Sequence, residues 1–350
     1  MDWTEERGRH GGVPSGPKIC VAGAGAIGST LAARLAAAGQ AVSVFARGAT
    51  LEAISRRGIE LDDLSGSIRV NVPASDRADD FGMQDIVFVC AKAHALSGLL
   101  ASIKPMLEKE TLVVPAVNGV PWWYFGGEGE GGRERGGAGG GLDYESVQAV
   151  DPDGSLAAML PSRQILGCVV YITAEVREPG RVIATNPHRM ILGELDNRPS
   201  LRLQQVCALL SDAGIEARAS RRIRDDVWTK LIANLTSNPL SVVTGGTLQD
   251  IYGAAELREV VVDMMDEVIS VAERYGARIA LNQDALLVGG EKMGAFRTSM
   301  LQDYEKGQRL ELAAIGDAVL ELAGRYGIPM PTTRAILALT RYRTAQRGLR

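Results

Sequence analysis

Three glycines, Gly23, Gly25 and Gly28, stand in G-x-G-x-x-G spacing within KICVAGAGAIG, residues 18–28. Glycines at that spacing suit the chemistry of holding a pyrophosphate. Gly23 can make the tight turn, Gly25 lets the backbone approach the phosphates, and Gly28 lets a helix pack closely on the preceding strand. The free N–H groups of the helix N-terminus then face the anion. Gly23, Ala24, Gly25, Ala26, Ile27 and Gly28 are therefore candidate cofactor-binding positions. The competing reading is a merely structural turn in an α/β domain. The surroundings favour dinucleotide binding: Ile19 to Ala22 read as a strand, STLAARLAAAG carries Leu31, Leu35 and Ala38 on one helical face, and Ala41 to Phe45 supplies a second strand at βαβ distance.

The end of that second strand bears on which dinucleotide. A site for NAD places an Asp or Glu there for the ribose 2′-OH, whereas an Arg accommodates the 2′-phosphate of NADP. The chain reads Val44-Phe45-Ala46-Arg47-Gly48, so no carboxylate is at hand and Arg47 sits where the phosphate would lie. NADPH or NADP is the expected cofactor, against the alternative of a solvated arginine at a loop start.

A second set of residues lies far downstream. DDVWTKLIANL, residues 225–235, has an apolar helical face of Val227, Trp228, Leu231, Ile232 and Leu235. Lys230, Asn234 and Asn238 follow one another at i, i+4 and i+8 on another face and project side by side. Asn costs a helix interior about half a kcal/mol against Ala, so two on one stripe invite a reason. A solvated stripe with a lysine is the plainer alternative. Pro239 is expected to bend or end this helix at Asn238. Ser299 with Gln302 fits a capping box, and Glu311 shares a stripe with Ile315, Val319 and Leu322, at a helix margin or buried for a purpose.

The elements that must position these residues alternate. Ile68 to Val72, Ile86 to Ala91 and Thr111 to Ala116 read as strands and Leu96 to Leu107 as a helix, which implies a parallel sheet with ligands at its C-terminal strand ends. The loops after Ala91 and Ala116 bring in Lys92 and Asn118. Gln164 to Thr173 and Arg181 to Ala184 flank the turn Glu178-Pro179-Gly180 as a hairpin, Met190 to Leu195 adds a strand, and Leu201 to Ala213 a helix. From about Arg222 the pattern is almost wholly helical. The expected fold class is α/β, an N-terminal Rossmann-type doubly wound sheet followed by a C-terminal all-helical domain. Its divisions are a flexible leader over 1–17, a cofactor domain over 18–221 with a glycine-rich insertion at 126–141, and a helical substrate domain over 222–350. The insertion, too poor in apolar surface to offset its ordering entropy, is expected to be mobile and dispensable for folding.

At 350 residues the chain suits two domains, and its net charge of −4 with no basic face argues against nucleic acid as a partner. No apolar run approaches a membrane span, and the first residues, MDWTEERGRH, have no signal-peptide core. A cytoplasmic location is expected. The four cysteines, Cys20, Cys90, Cys168 and Cys207, are scattered without C-x-x-C, and Cys20 and Cys90, inside expected buried strands, read as reduced core residues. The partner expected is a small molecule; the reading allows a homodimer without specifying one.

Taken together, GAGAIG, the strand-end Arg47, Lys92, Asn118-Gly119, W-x-K-L-x-x-N-x-x-x-N-P over Trp228 to Pro239, and S-M-L-Q-D followed by Glu311 occur in an order and spacing that resembles the ketopantoate reductases (2-dehydropantoate 2-reductases) from Lys18 to about Leu339. The resemblance implies that Lys230 is the catalytic lysine, protonating the keto oxygen of a 2-oxo acid as hydride arrives from NADPH. It implies that Asn234, Asn238 and Ser299 hold substrate, that Glu311 is the acid placing substrate and lysine, and that Asn118 and Lys92 line the cofactor side, Asn118 also touching substrate. An alkoxide forming at C2 needs a positioned cation and proton donor, and a lysine supplies both without a metal. The chain departs from the pattern at Val117, where many members have Gln, at Trp122-Trp123-Tyr124 with the glycine insertion, and at Gly245-Gly246-Thr247-Leu248, where some members have a further Asn. These positions bear on the substrate rather than the cofactor. The alternatives are a reductase of another 2-oxo acid on the same scaffold and a non-catalytic NADPH sensor.

Overall fold

The structure, a computed structural model, describes residues 16–127, 146–279 and 282–348. The expected leader lies outside the described residues as far as residue 15, and the glycine-rich insertion from residue 128 on. The chain forms two compact units. Of the described residues, 16–117, 126–127 and 155–223 make the first, and 118–125, 146–154 and 224–348 the second. Residues 118–125, expected with the sheet, cluster with the helices because Val120 and Tyr124 are buried in the helical core.

The strands of the first unit are β1 (Ile19–Ala22), β2 (Val42–Phe45), β3 (Ile59–Asp63), β4 (Gly66–Val70), β5 (Ala74–Ser75), β6 (Ile86–Val89), β7 (Leu112–Pro115), β8 (Gly167–Tyr171), β9 (Ala174–Glu178), β10 (Arg181–Ala184), β11 (Arg189–Gly193) and β12 (Glu216–Ala219). Its helices are α1 (Ala26–Ala37), α2 (Gly48–Arg57), α3 (Leu96–Ile103), α4 (Ser155–Met159) and α5 (Leu201–Asp212). The main sheet is parallel in the order β5-β2-β1-β6-β7, so the chain reverses direction across the sheet between β1 and β6. ICVA of β1 and IVFV of β6 are buried throughout, as a parallel strand covered on both faces requires.

Two smaller sheets, β4-β3-β10-β9 and β12-β11-β8, complete this unit. The expected hairpin is divided between them. β9 and β10 pair across Glu178-Pro179-Gly180, but β8 pairs antiparallel with β11 instead. The break falls at Thr173, whose N–H is taken by the Asn186 side chain at 2.6 Å. It separates the mostly buried GCVVY from the half-exposed AEVRE. α3 stops at Ile103, short of the expected Leu107, because Pro105 brings no N–H and the chain tightens into a 3₁₀ turn at Lys104–Met106. β3 was hidden by its acids: only Ile59 and Leu61 of IELDD are fully buried.

Those acids are paired. The buried Asp63 carboxylate accepts from Arg34 of α1 and lies 2.9 Å from His188 Nε2, so one charge ties α1 and β3 to the segment before β11. Burial works against the Asp63 charge, but hydrogen bonds from His188, the Ser65 N–H and Arg34 outweigh it and hold the carboxyl below its ordinary value. A group depressed in this way stabilises the fold above its unfolded value of about 3.9 and loses that contribution as pH falls through the native one. Asp63→Ala leaves two buried donors without their acceptor and should lower the unfolding free energy at neutral pH by roughly 3–5 kcal/mol. Urea titration checks this, and part of the parent's loss of stability below about pH 4 should vanish in the variant.

The second unit is helical: α6 (Ile223–Thr244), α7 (Leu248–Gly253), α8 (Ala255–Arg274), α9 (Gln283–Lys292), α10 (Ser299–Glu305), α11 (Ala318–Arg325) and α12 (Pro331–Gln346). Its core gathers Trp228, Leu231, Ile232 and Leu235 of α6 with Met264 and Val268 of α8, Val319 and Leu322 of α11, and Leu337 of α12. α6 does not end at Asn238 but runs through Pro239 to Thr244. A proline inside a helix costs about 3 kcal/mol. Here Leu240 and Val242, both buried beyond it, offset that cost. Among the described residues, no helix is long and apolar enough to cross a membrane, and no cluster of His, Cys, Asp and Glu could hold a metal ion.

Candidate active site

In the first unit the glycine turn leaves β1 at the point where the sheet order reverses, which in open α/β sheets is the ligand crevice. Each glycine is required by its surroundings. Gly23 has φ +100°, and a Cβ there would stand 2.3 Å from Cys90 O at the end of β6. A Cβ on Gly28 would stand 1.8 Å from Gly23 O, so a side chain cannot fit between turn and helix. Gly25 has nothing within 4 Å of its Cβ position and is exposed, leaving open space beside the backbone. It is also the N-cap of α1 and offers no side-chain cap, so the first-turn N–H groups of Ala26, Ile27 and Gly28 stay available to an anion. These residues fit a pyrophosphate.

Arg47, exposed, follows β2 and lies over the Phe45 ring at 5.5 Å, and its guanidinium donates to Ser102 Oγ of α3. Ser102 donates in turn to Gly98 O at 2.7 Å. Ser102 was missed in the sequence, since nothing local marks a partner 55 residues away. Lys92 follows β6, half-buried, at the start of a 3₁₀ turn over Ala93–Ala95. β1 and β6 are hydrogen-bonded neighbours, so Lys92 and the glycine turn extend from adjacent strand ends.

In the second unit the structure joins three of the candidates. Lys230 Nζ donates to Asn118 Oδ1 at 2.8 Å, and Asn118 Nδ2 donates to Glu311 Oε2 at 3.4 Å. An ammonium only donates and an ionised carboxylate only accepts, so the amide orientation satisfies both neighbours, and its reverse neither. All three side chains belong to half-buried residues. Such an arrangement can present a held ammonium group to an oxygen on which negative charge grows.

Asn234 and Asn238 continue the stripe from Lys230 along α6. Asn234 is half-buried, whereas Asn238 is buried and its Oδ1 is 3.5 Å from Ser237 Oγ. Neither they nor Ser299 is hydrogen-bonded to the trio among the described residues. Ser299 is exposed at the first position of α10, and the expected capping box is corrected: Thr298 is the N-cap, accepting from the Leu301 N–H at 3.1 Å. Thr298 is the residue with a buried partner, Ser241 of α6 at 2.6 Å, which leaves Ser299 to face outward. Trp122 and Trp123 are buried with indole N–H groups that have no partner among the described residues. Leu248, half-buried, opens α7.

Comparison with known proteins matches both the sheet part and the helical part of the chain. The family model described as ketopantoate reductase PanE/ApbA matches residues 19–121, and that for the family's C-terminal part matches 222–344. A 2-dehydropantoate 2-reductase of Mesorhizobium japonicum is 38% identical over 332 residues, covering 95% of this chain and 99% of the relative. The crystal structure of a ketopantoate reductase candidate from Ralstonia solanacearum, also 38% identical, superposes with a TM-score of 0.86 over 95% of this chain and 99% of that one. The 2-dehydropantoate 2-reductase of Geobacter metallireducens, 26% identical, gives 0.80 over 93% and 99%. With both its sheet unit and its helical unit matched and one relative alike from end to end, the chain belongs to the ketopantoate reductase family.

Proposed function

We propose that this protein reduces 2-dehydropantoate to pantoate with NADPH, a step toward pantothenate and coenzyme A. The observation that carries the reading is the hydrogen-bonded series Lys230, Asn118 and Glu311, a cation held by an amide that a carboxylate anchors. NADPH, when bound, supplies the hydride to C2 of the 2-oxo acid. The C2 carbonyl gains that hydride on carbon and one proton on oxygen and becomes the 2-hydroxy acid. Lys230 donates the proton and stabilises the negative charge that appears on oxygen before it arrives. Asn118 keeps the ammonium from swinging among its many rotamers, and Glu311 fixes the amide. Asn234, Asn238 and Ser299 hold the substrate.

Gly23 to Gly28 bind the pyrophosphate, Lys92 and Asn118 line the cofactor side, and Arg47 takes the 2′-phosphate. The Phe45 ring beneath Arg47 and the Ser102 hydroxyl beside it limit the guanidinium's freedom before the phosphate arrives. All four cysteines are free thiols, in keeping with a reducing cytoplasm.

The substrate is tested by steady-state kinetics on 2-dehydropantoate beside a panel of 2-oxo acids. A higher kcat/KM for another acid would reassign it. Arg47→Ala should weaken NADPH by roughly 10- to 100-fold, the worth of a charged hydrogen-bonded contact, and leave NADH nearly unchanged. Equal affinity of the parent for both cofactors would end the NADPH assignment. Lys230→Ala should lower kcat by about 10²–10³ while NADPH still binds, and Glu311→Ala should chiefly raise the KM for substrate. A solvated lysine would instead change stability by only ~0.5 kcal/mol and leave the rate alone.

A further inference from the structure

We propose that Gly119 and a π-turn at Ala313–Asp317 form a positioning device for Asn118, a backbone clasp that sets its amide between Lys230 and Glu311. The inference rests on the reading of Lys230 as proton donor. It begins from a misdirected helical hydrogen bond. In an α-helix the Ala318 N–H would donate to Ala314 O, four residues back. Here it donates to Ala313 O, five back, as a π-turn requires. Ala314 O thereby loses its usual donor at a fully buried residue, where water cannot take over. The Val120 N–H fills the vacancy at 2.8 Å. The added helical residue thus converts an internal carbonyl into an acceptor for the segment that carries Asn118.

Gly119 makes the approach feasible. Its φ is +82°, in the left-handed region, and a Cβ on it would stand 2.5 Å from Ala314 O, 2.6 Å from its carbonyl carbon and 2.7 Å from its Cβ. Only a residue without a side chain lets the chain lie this close to the helix. The same stretch of helix begins at Glu311, whose carbonyl accepts from the Ile315 N–H at 3.1 Å. The backbone that holds Glu311 is therefore continuous with the backbone that clasps residues 119–120. Asn118 is fixed from below by the clasp and from its two amide ends by Lys230 and Glu311. Packing alone would not require the π-turn, because an ordinary helix turn presents no unfilled carbonyl.

The test measures kcat, the KM for 2-dehydropantoate, and NADPH binding by fluorescence in Gly119→Ala, Ala314→Ser and Asn118→Ala, and in each of the first two combined with the third. Far-UV circular dichroism follows folding. Displacing a positioned group by about 1 Å costs on the order of 10²-fold in rate. Gly119→Ala should lose about that much kcat while NADPH still titrates, and Ala314→Ser, which adds one atom on the helix side of the same contact, should lose several-fold. Neither should lower kcat further once Asn118 is alanine, because both act through it. Losses that multiply with Asn118→Ala, or a parent-like kcat in folded Gly119→Ala, would overturn the clasp. If Gly119→Ala does not fold, the Ala314→Ser pair decides by the same two criteria. Parent-like turnover in Lys230→Ala would instead strike at the reading of the site, and it is recognised separately because the clasp variants leave Lys230 in place.

Discussion

The site depends on one side-chain amide satisfying opposite charges at its two ends. Lys230 brings three donors and no acceptor, Glu311 brings acceptors only, and Asn118 meets the first through Oδ1 at 2.8 Å and the second through Nδ2 at 3.4 Å. A free lysine has four rotatable bonds and about 2 kcal/mol of rotamer entropy to lose on being held. An amide held by a carboxylate meets that cost in the folded protein, before any substrate binds. The cation is then held before any substrate arrives, which is what the proposed reduction asks of a group that meets developing charge.

Two partners of this series adjoin a local departure from regular structure, and the third lies on a helix that contains one. Lys230 lies on α6, which continues past Pro239 because Trp228, Leu231, Leu235, Leu240 and Val242 bury enough apolar surface to keep it helical. Glu311 precedes a helix with a π-turn, and Asn118 precedes a glycine at φ +82°. In the first unit the same economy appears at Gly28, where a side chain would strike the Gly23 carbonyl. Irregular backbone at such positions is where local rules yield to the needs of a site.

What was legible in the sequence follows from how local each signal is. The glycine turn and the alternation around it are contiguous, so residues 18–45 sufficed to read them, and the observed order β5-β2-β1-β6-β7 is that of a doubly wound sheet. The stripe of Lys230, Asn234 and Asn238 follows from helical periodicity alone. The hydrogen bonds from Asn118 to Lys230 and Glu311 span 112 and 193 residues, and no periodicity reports on such separations. β3 offers only Ile59 and Leu61 as apolar residues, and its acids Asp62 and Asp63 find their partners in Arg181, Arg34 and His188 of distant elements. The split of the expected hairpin turned on the Asn186 side chain capturing one N–H, and the cap of α10 shifted from Ser299 to Thr298 because Ser241 stood within reach. In each case a tertiary partner decided between local options that were close in energy.

The central claim, that the Lys230 ammonium delivers the proton and steadies the charge on oxygen, is tested most directly by chemical rescue. Hydride transfer is followed by stopped-flow NADPH absorbance in a single turnover of Lys230→Ala with 2-dehydropantoate, alone and with increasing methylammonium or ethylammonium. A slow reaction that accelerates with amine concentration, and more so for the amine that fits the vacated space, is the expected result. A single-turnover rate equal to the parent's without amine would contradict it, because the proton would then come from elsewhere.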